Sequence, residues 1–492
     1  MAEPATPGSA RAHGRYGQPV PAEGASDTGL DLSRPRRLHV CNVGGAGMSA
    51  VATLLAEMGH RVSGHDPAPT TPFLPMLMER GVDVSTGPVP PALGDDVEAV
   101  IVSTATPSDD ADVVAARARG IPVVHRSAAL GAICARRTTV AVAGTHGKTT
   151  TSALLATILA GTGREPGYVV GATIPQFGGS AAWGGSGPLV VEADESDGTF
   201  LALGAHAGIV SNVEPDHLEN WGGEQALRQG FERFVAGLTG PAVLCADDPG
   251  AAALAAHAKE PVSYGIAPDA DYRVSDVVPE GSGVRFAVDH AATGERADVV
   301  VPAAPGAHNA ANATGALAAA HRLGVPLAEG AAALAGFRGV ARRFEHRGEA
   351  KGVTVVDDYA HLPTEVAAAL AAARSSGSWR RVVAVFQPHR YSRTEALWRD
   401  FARAFRDADL LAVADVYAAG EPPRPGVSGK LVVEAVLEAD PWALVAWLPR
   451  LDDVVAWLRA VLRPGDLCLT LGAGDLTTLA PRILEMLEER RS

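Results

Sequence analysis

The chain is 492 residues long, 47% hydrophobic, and carries a formal charge of −14. That length exceeds what one hydrophobic core organises, and at about 150 residues per domain it predicts three domains of soluble α/β type. The acidic balance argues against a nucleic-acid or membrane-surface partner, since both need broad basic patches. No apolar run approaches the ~18 residues needed to span a bilayer. Cys41, Cys134, Cys245 and Cys468 lie far apart without a CxxC pair, so free thiols and a cytoplasmic setting are expected. Residues 1–36 open on a Gly-, Pro-, Ala- and Ser-rich stretch with no signal-peptide core, and a disordered tail is expected there.

Strand–helix alternation predicts a first domain over 37–135. Leu38 to Val43 reads as a strand, and Gly44-Gly45-Ala46-Gly47-Met48-Ser49 opens a helix running to about Gly59. A second strand, Arg61 to Asp66, ends in an acid. This is the dinucleotide-type arrangement: glycines for close approach, a helix start for a pyrophosphate, an acid for a ribose or base. It does not separate a nicotinamide dinucleotide from a UDP-sugar, and Asp66 reads equally well as a turn former. Asn42 stands where the first glycine would be, and asparagine tolerates positive φ better than most residues. A strand at Ala99–Val102 leads into the hydroxyls of Ser103 and Thr104, suited to a phosphate or sugar. The strand ending at His125 brings the basic pair His125-Arg126, a ligand contact or a solvated surface pair.

The central domain, expected over 136–341, begins with Val140 to Ala143 and then Gly144-Thr145-His146-Gly147-Lys148-Thr149-Thr150. A buried strand, a glycine turn and a helix start make a cradle for phosphates, because backbone N–H groups and the helix dipole point into the turn. Lys148 is expected on the terminal phosphates and the Thr149 hydroxyl on Mg²⁺. The chain has only four lysines, which adds weight to one inside this loop. Val142 stands where the general pattern has its first glycine, leaving the shorter Gly-x-x-Gly-Lys-Thr; an ordinary strand-to-helix loop is the alternative. Leu189 to Asp197 then places Glu192, Asp194, Glu195 and Asp197 at a strand end. So dense a cluster repels itself unless a cation such as Mg²⁺ compensates. Asn212, Glu214, Asp216 and His217 leave a further strand, at what should be the same sheet edge. Asn309, at the start of an alanine-rich helix, could read an adenine or simply cap the helix.

Near Arg342 the pattern resets, and a third domain is expected over 342–492. A strand from Val353 delivers Asp358, Tyr359 and His361, and another from Arg381 delivers His389, Arg390 and Arg393. Two arginines and a histidine just past a strand end form an anion site, fit for a carboxylate or a transferring phosphoryl group. Leu467 to Leu471 and the turn Gly472-Ala473-Gly474-Asp475 close the pattern.

Taken in order, the glycine turn at 44–49, the short loop at 144–150, Glu192 to Asp197, Asn212 to His217, His308-Asn309, Asp357 to Glu365 and Gln387 to Thr394 resemble the Mur ligase family. The resemblance runs from Leu38 to Gly474. It implies a Rossmann-like UDP-binding domain, a central P-loop-type ATPase domain and a Rossmann-like carboxyl-terminal domain that holds an amino acid. It also implies ATP-dependent amide formation in peptidoglycan precursor synthesis, and the pattern fits the branch that adds L-alanine. There the lactyl carboxylate of UDP-N-acetylmuramate becomes an acyl phosphate, and the L-alanine amine displaces phosphate. By that resemblance Lys148, Glu192 and His217 are catalytic, with one Mg²⁺ on Thr149 and Glu192 and a second near His217. Asn309, Arg343 and Asp358 complete the nucleotide site, and Tyr359, His361, His389, Arg390 and Arg393 surround the amino acid. The turn at 44–49 with Asp66, Ser103, Thr104, His125 and Arg126 holds the UDP-sugar. A monomer or homodimer is expected. Leu362 departs from the branch, which often has a second histidine there. A tripeptide-recycling relative and, from the first glycine turn alone, a nicotinamide-dependent oxidoreductase are the rivals.

Overall fold

The computed structural model describes residues 30–489, apart from Asp197, Ser378 and the side chain of Glu219. Most of the tail expected over 1–36 lies outside these residues. Its last part differs from expectation: Leu30 and Leu32 are buried in the main apolar core. Arg36 pairs there with Asp31 and Glu98. Burying a leucine is worth about 1.5–3 kcal/mol, enough to hold a short polar stretch that composition alone reads as tail.

The first sheet has five parallel strands in the order Asp83–Thr86, Arg61–Asp66, Arg37–Cys41, Ala99–Val102, Val123–His125. The order reverses beside Arg37–Cys41, so the turns after that strand and after Ala99–Val102 open on one crevice. Asn42 there has φ +53, as its side chain permits.

The central sheet has ten strands. Thr139–Ala143 lies between Leu189–Glu192 and Ala207–Val210, all parallel. The loops leaving their carboxyl ends, at 144–147, 193–196 and 211–217, therefore meet on one edge. Tyr272–Glu280, Gly283–His290 and Arg296–Val301 extend this sheet as an antiparallel meander that the motif reading passes over. The third sheet runs Glu345–Ala350, Val353–Asp358, Asp466–Leu471, Arg381–Phe386, Leu410–Val413, Val445–Trp447, parallel except for its first strand. The four cysteines are free and buried. Among the described residues no helix is long and apolar enough to cross a membrane.

The two seams between these layers differ in chemistry. One continuous apolar cluster joins the first sheet to the central one, with helix Ala46–Glu57 packed on the strand Gly179–Ala182. The third sheet has its own two clusters, one on each face. It meets the central layer through polar pairs: Arg343 with Thr149, His146 with Glu365, and Asp216 with Arg393. Interfaces of that kind resemble transient ones and permit relative motion. The connection at 339–344 carries two non-glycine residues with left-handed backbone, Arg342 at φ +60 and Phe344 at φ +46. Such conformations cost roughly 1–3 kcal/mol each and persist only where surrounding contacts impose them.

Candidate active site

The phosphate loop is built by local necessity. Thr139–Ala143 is buried throughout, and the chain must reverse at once into helix Lys148–Gly161. Gly147 makes that reversal at φ +83, a conformation that L side chains rarely adopt. No side chain caps the helix, so the first N–H groups stay directed into the turn, where they attract an anion. Lys148 Nζ donates to the Gly144 and Thr145 carbonyls at 2.7 and 3.2 Å and to Glu195 Oε2 at 2.7 Å. Burial works against the ammonium, but Glu195 and Asp194 outweigh it and hold its pKa above the ordinary value. Burial likewise pushes the Glu195 carboxyl up, to about 7, against the pull of Lys148.

Thr149 Oγ1 donates to Glu192 Oε1 at 2.9 Å and accepts from Arg343 Nη2 at 3.2 Å. Glu192 Oε2 accepts from the Gly171 N–H at 2.5 Å. A hydroxyl and a carboxylate side by side at a phosphate loop, with Asp194 lining the same cavity, are the hard oxygen donors that suit Mg²⁺. His217 takes φ +53 and its Nε2 lies 3.4 Å from Asp216 Oδ2. It lines that cavity too, and an imidazole beside a carboxylate can hold a divalent ion.

The cavity, of about 240 Å³, is shared between layers. Lys148, Thr149, Glu192, Asp216 and His217 come from the central domain; Arg343, Tyr359, His361, His389, Arg390 and Arg393 come from the segment that follows. Arg393 Nη1 donates to His389 Nδ1 at 3.2 Å and Nη2 to Asp216 Oδ1 at 3.1 Å. The His361 and His389 rings lie 5.5 Å apart, and His389 stacks on Tyr417. Burial pushes His361 down to about 4 and, with His361 and two arginines adding to it, His389 down to about 3. Both imidazoles are therefore neutral near pH 7 and can accept or donate without adding charge. Arg390 stands at φ +67 ahead of helix Tyr391–Leu397.

A second cavity, of about 260 Å³, lies between helix Ala307–Arg322 and helix Pro363–Ser376. His146, Gly147, Thr150 and Glu365 lie among its lining residues, with Asn309, Asn312, Phe337, Phe344 and Ala369. An apolar slot opening onto a phosphate loop suits a nucleoside. Asn309 is no helix cap: the helix starts at Ala307. Its amide donates to the Pro305 carbonyl at 2.7 Å and accepts from Asn312 at 3.2 Å, inside the slot wall. Asp358 lines the slot but accepts the N–H groups of Phe344 and Ala360, both at 2.7 Å. It thus ties the inter-domain connection to the third sheet, and burial lifts its carboxyl to about 6.

A third cavity joins the first glycine turn to the central domain. Ala46, Gly47, Phe73 and Arg126 line it together with Thr173, Glu192 and Asp194. The Arg126 guanidinium lies across Gly47, where a Cβ would collide with it. Several residues expected on a ligand here serve the chain itself. Met48 and Ser49 are buried in the helix, with Ser49 Oγ donating to the Ala46 carbonyl at 2.9 Å. Asp66 accepts the N–H groups of Gly44 at 2.8 Å and Ala68 at 2.9 Å, supporting the turn from beneath. Ser103 bonds Thr106, while Thr104 bonds His125 Nε2 at 3.1 Å. His125 Nδ1 in turn caps helix Arg126–Cys134.

Two carboxylates central to this geometry have no individual role by sequence alone. Glu195 was one member of the acidic cluster, and only the fold singles it out as the partner of Lys148. Glu365 bonds His146 Nδ1 at 3.1 Å; it stands in the first turn of helix Pro363–Ser376, and nothing local in the sequence pairs it with His146. His308, neutral because burial takes it down to about 4, was legible only as part of the His308-Asn309 pair.

Three family models match: "Mur ligase family, catalytic domain" over 37–138, "Mur ligase middle domain" over 142–320 and "Mur ligase, glutamate ligase domain" over 342–474. The chain is 46% identical over 467 residues to a UDP-N-acetylmuramate–L-alanine ligase of Kineococcus radiotolerans, covering 93% of this chain and 98% of that one. Among solved structures it is similar to a UDP-N-acetylmuramate–alanine ligase of Thermotoga maritima, with TM-score 0.75, 28% identity and coverage of 91% and 98%. A murein peptide ligase of Psychrobacter arcticus follows, with TM-score 0.66, 25% identity and coverage of 93% and 100%.

Proposed function

The chain belongs to the Mur ligase family, and we propose that it joins L-alanine to the lactyl carboxylate of UDP-N-acetylmuramate with cleavage of ATP, through an acyl phosphate. The observation that carries this reading is one cavity walled by two layers, with a phosphate loop on one side and an arginine–histidine cluster on the other. A carboxylate and a triphosphate repel each other, so the reaction needs cations placed between them. Lys148 and Arg343 supply fixed positive charge at the loop. Thr149 and Glu192 would hold one Mg²⁺, and His217 with Asp216 a second. Bound there, these ions offset charge on the phosphates and the acceptor carboxylate.

The nucleoside slot seats ATP with its phosphates on the loop, while the cavity beneath Gly47 and Arg126 leads the sugar nucleotide toward Glu192. Arg390 and Arg393 are placed to take the carboxylate of the incoming amino acid. Neutral His361 and His389 beside them can accept hydrogen bonds from the incoming amine without adding positive charge. Closure of the polar seam then keeps water from the activated acyl group. ATP and a sugar nucleotide as substrates support a cytoplasmic setting for the protein.

The test is phosphate release by the purified protein with Mg²⁺, ATP and UDP-N-acetylmuramate across a panel of amino acids and the wall tripeptide. L-alanine should give the highest kcat/KM. Preference for tripeptide would move the assignment to the murein peptide ligase branch.

A further inference from the structure

His146 sits in the phosphate loop, yet its side chain turns away toward the third domain. Its Nε2 faces Glu214 Oε2 at 3.1 Å and its Nδ1 faces Glu365 Oε1 at 3.1 Å. A carboxylate only accepts, so a ring held between two of them carries both protons and a positive charge. Its backbone N–H is fixed as well, donating to Asn212 Oδ1 at 2.7 Å. The far carboxylate is equally committed. Glu365 Oε2 accepts the N–H groups of His361 at 3.0 Å and Leu362 at 3.1 Å, and lies 3.3 Å from His361 Nδ1. The His361 ring then meets His389, which takes a hydrogen bond from Arg393, which returns to Asp216 of the central domain. Contacts thus run from the nucleotide loop out through Glu365 and back beside His217.

We infer that Glu365 is a positioning residue that, through His146, couples the nucleotide loop to the amine-acceptor pocket and keeps the reaction from leaking to water. The inference rests on the ligase reading above. Displacement of His146 by the loop is delivered by one carboxylate to the two N–H groups that set His361 and Leu362. If that link is cut, the third domain still folds, having its own apolar clusters, but its pocket is no longer held against the loop. Water then reaches the acyl phosphate. Its oxygen bonds to the acyl carbon, the C–O bond to phosphate breaks with the electron pair leaving on phosphate, and water's two protons pass to phosphate and solvent. The starting carboxylate is regenerated and ATP is lost.

The experiment measures phosphate released and amide formed in the same reaction, using the full chain with Mg²⁺, ATP, UDP-N-acetylmuramate and L-alanine. Wild type should give a ratio near one. Glu365→Gln keeps an acceptor for both N–H groups and removes the charge; phosphate should then exceed amide about threefold or more. Its KM for L-alanine should rise about tenfold while its KM for ATP moves less than about twofold. His146→Gln should shift the ratio similarly, and the double variant should go no further than the worse single one, because both act through one contact. If Glu365→Gln does not fold, His146→Gln decides. Variants that are slower with the ratio still at one, KM values that rise together, or an additive double variant would overturn the inference. Wild type that forms no amide would instead overturn the ligase reading itself.

Discussion

Replacing Lys148 with methionine, which keeps its length and drops its charge, separates two roles of that side chain. The ammonium lies 2.7 Å from Glu195, with 14% and 2% of the two side chains exposed. At an effective dielectric of ~20, unit charges at that distance attract by about 6 kcal/mol. The loss on mutation is smaller, because Glu195 can take a proton: burial already holds its carboxyl at about 7, and without the ammonium it goes higher. Breaking a buried pair from one side costs about 3–5 kcal/mol, and protonation should keep this case at the lower end. The sign of the pH dependence follows. In the variant, folded Glu195 holds a proton that the unfolded chain releases above about pH 4.3, so stability falls as pH rises by about 1.4 kcal/mol per pH step up to the raised pKa. Adding Glu195→Gln removes the stranded group and should restore the urea midpoint to within about 1 kcal/mol of wild type. It should not restore phosphate release, which stays down roughly 10³-fold for want of a cation on the phosphates. Urea titrations at pH 6 and 8, with phosphate assays on both variants, are the check. Activity regained in the double variant would refute the catalytic role; a single variant as stable as wild type at pH 8 would refute the energetic one.

Other outcomes are expected from the same geometry. Burial works against the charged His146 ring, but the hydrogen bonds it donates to Glu214 and Glu365 outweigh that and lift its pKa to about 9. Its ion-pair contribution, about 3 kcal/mol from the gap to the ordinary 6.5, is therefore complete below that value and lost as pH rises through 9. Urea midpoints measured from pH 6.5 to 10 should decline in wild type and stay flat in His146→Gln. Arg393→Lys keeps the charge but cannot reach His389 and Asp216 together, so KM for L-alanine should rise roughly 10–100-fold while UDP-N-acetylmuramate affinity, measured by calorimetry, stays unchanged. Leu362 is the one aliphatic side chain among the described residues lining the phosphate cavity. Leu362→Ala should narrow the kcat/KM preference for L-alanine over 2-aminobutyrate, by an amount worth about 1–3 kcal/mol.

The sheet edges were legible in the sequence because topology does the sorting. Residues such as Glu192, Asn212, Asp358 and His389 follow β-rich runs, and parallel strands send their carboxyl ends to one side. What each side chain then does was less legible. Met48, Ser49 and Asp66 belong to the first glycine turn by spacing, but spacing cannot say which face of a helix is buried or which carboxylate the backbone claims. The pairs joining Lys148 to Glu195, His146 to Glu365 and Asp216 to Arg393 connect residues 47, 219 and 177 positions apart. Nothing local distinguishes them from other acids and bases nearby. The meander over 272–301 carries no motif, and Leu30 and Leu32 are ordered by burial against a core that the sequence does not place.

The account turns on ATP being used to make a carboxyl group electrophilic. UDP-N-acetylmuramate labelled with ¹⁸O in its lactyl carboxylate, turned over with Mg²⁺, ATP and L-alanine, tests that directly by mass spectrometry of the phosphate. Each phosphate released alongside an amide should carry one labelled oxygen taken from the carboxylate. Amide formation with unlabelled phosphate would contradict the acyl-phosphate route, and labelled substrate recovered unchanged with no amide would contradict the ligase assignment.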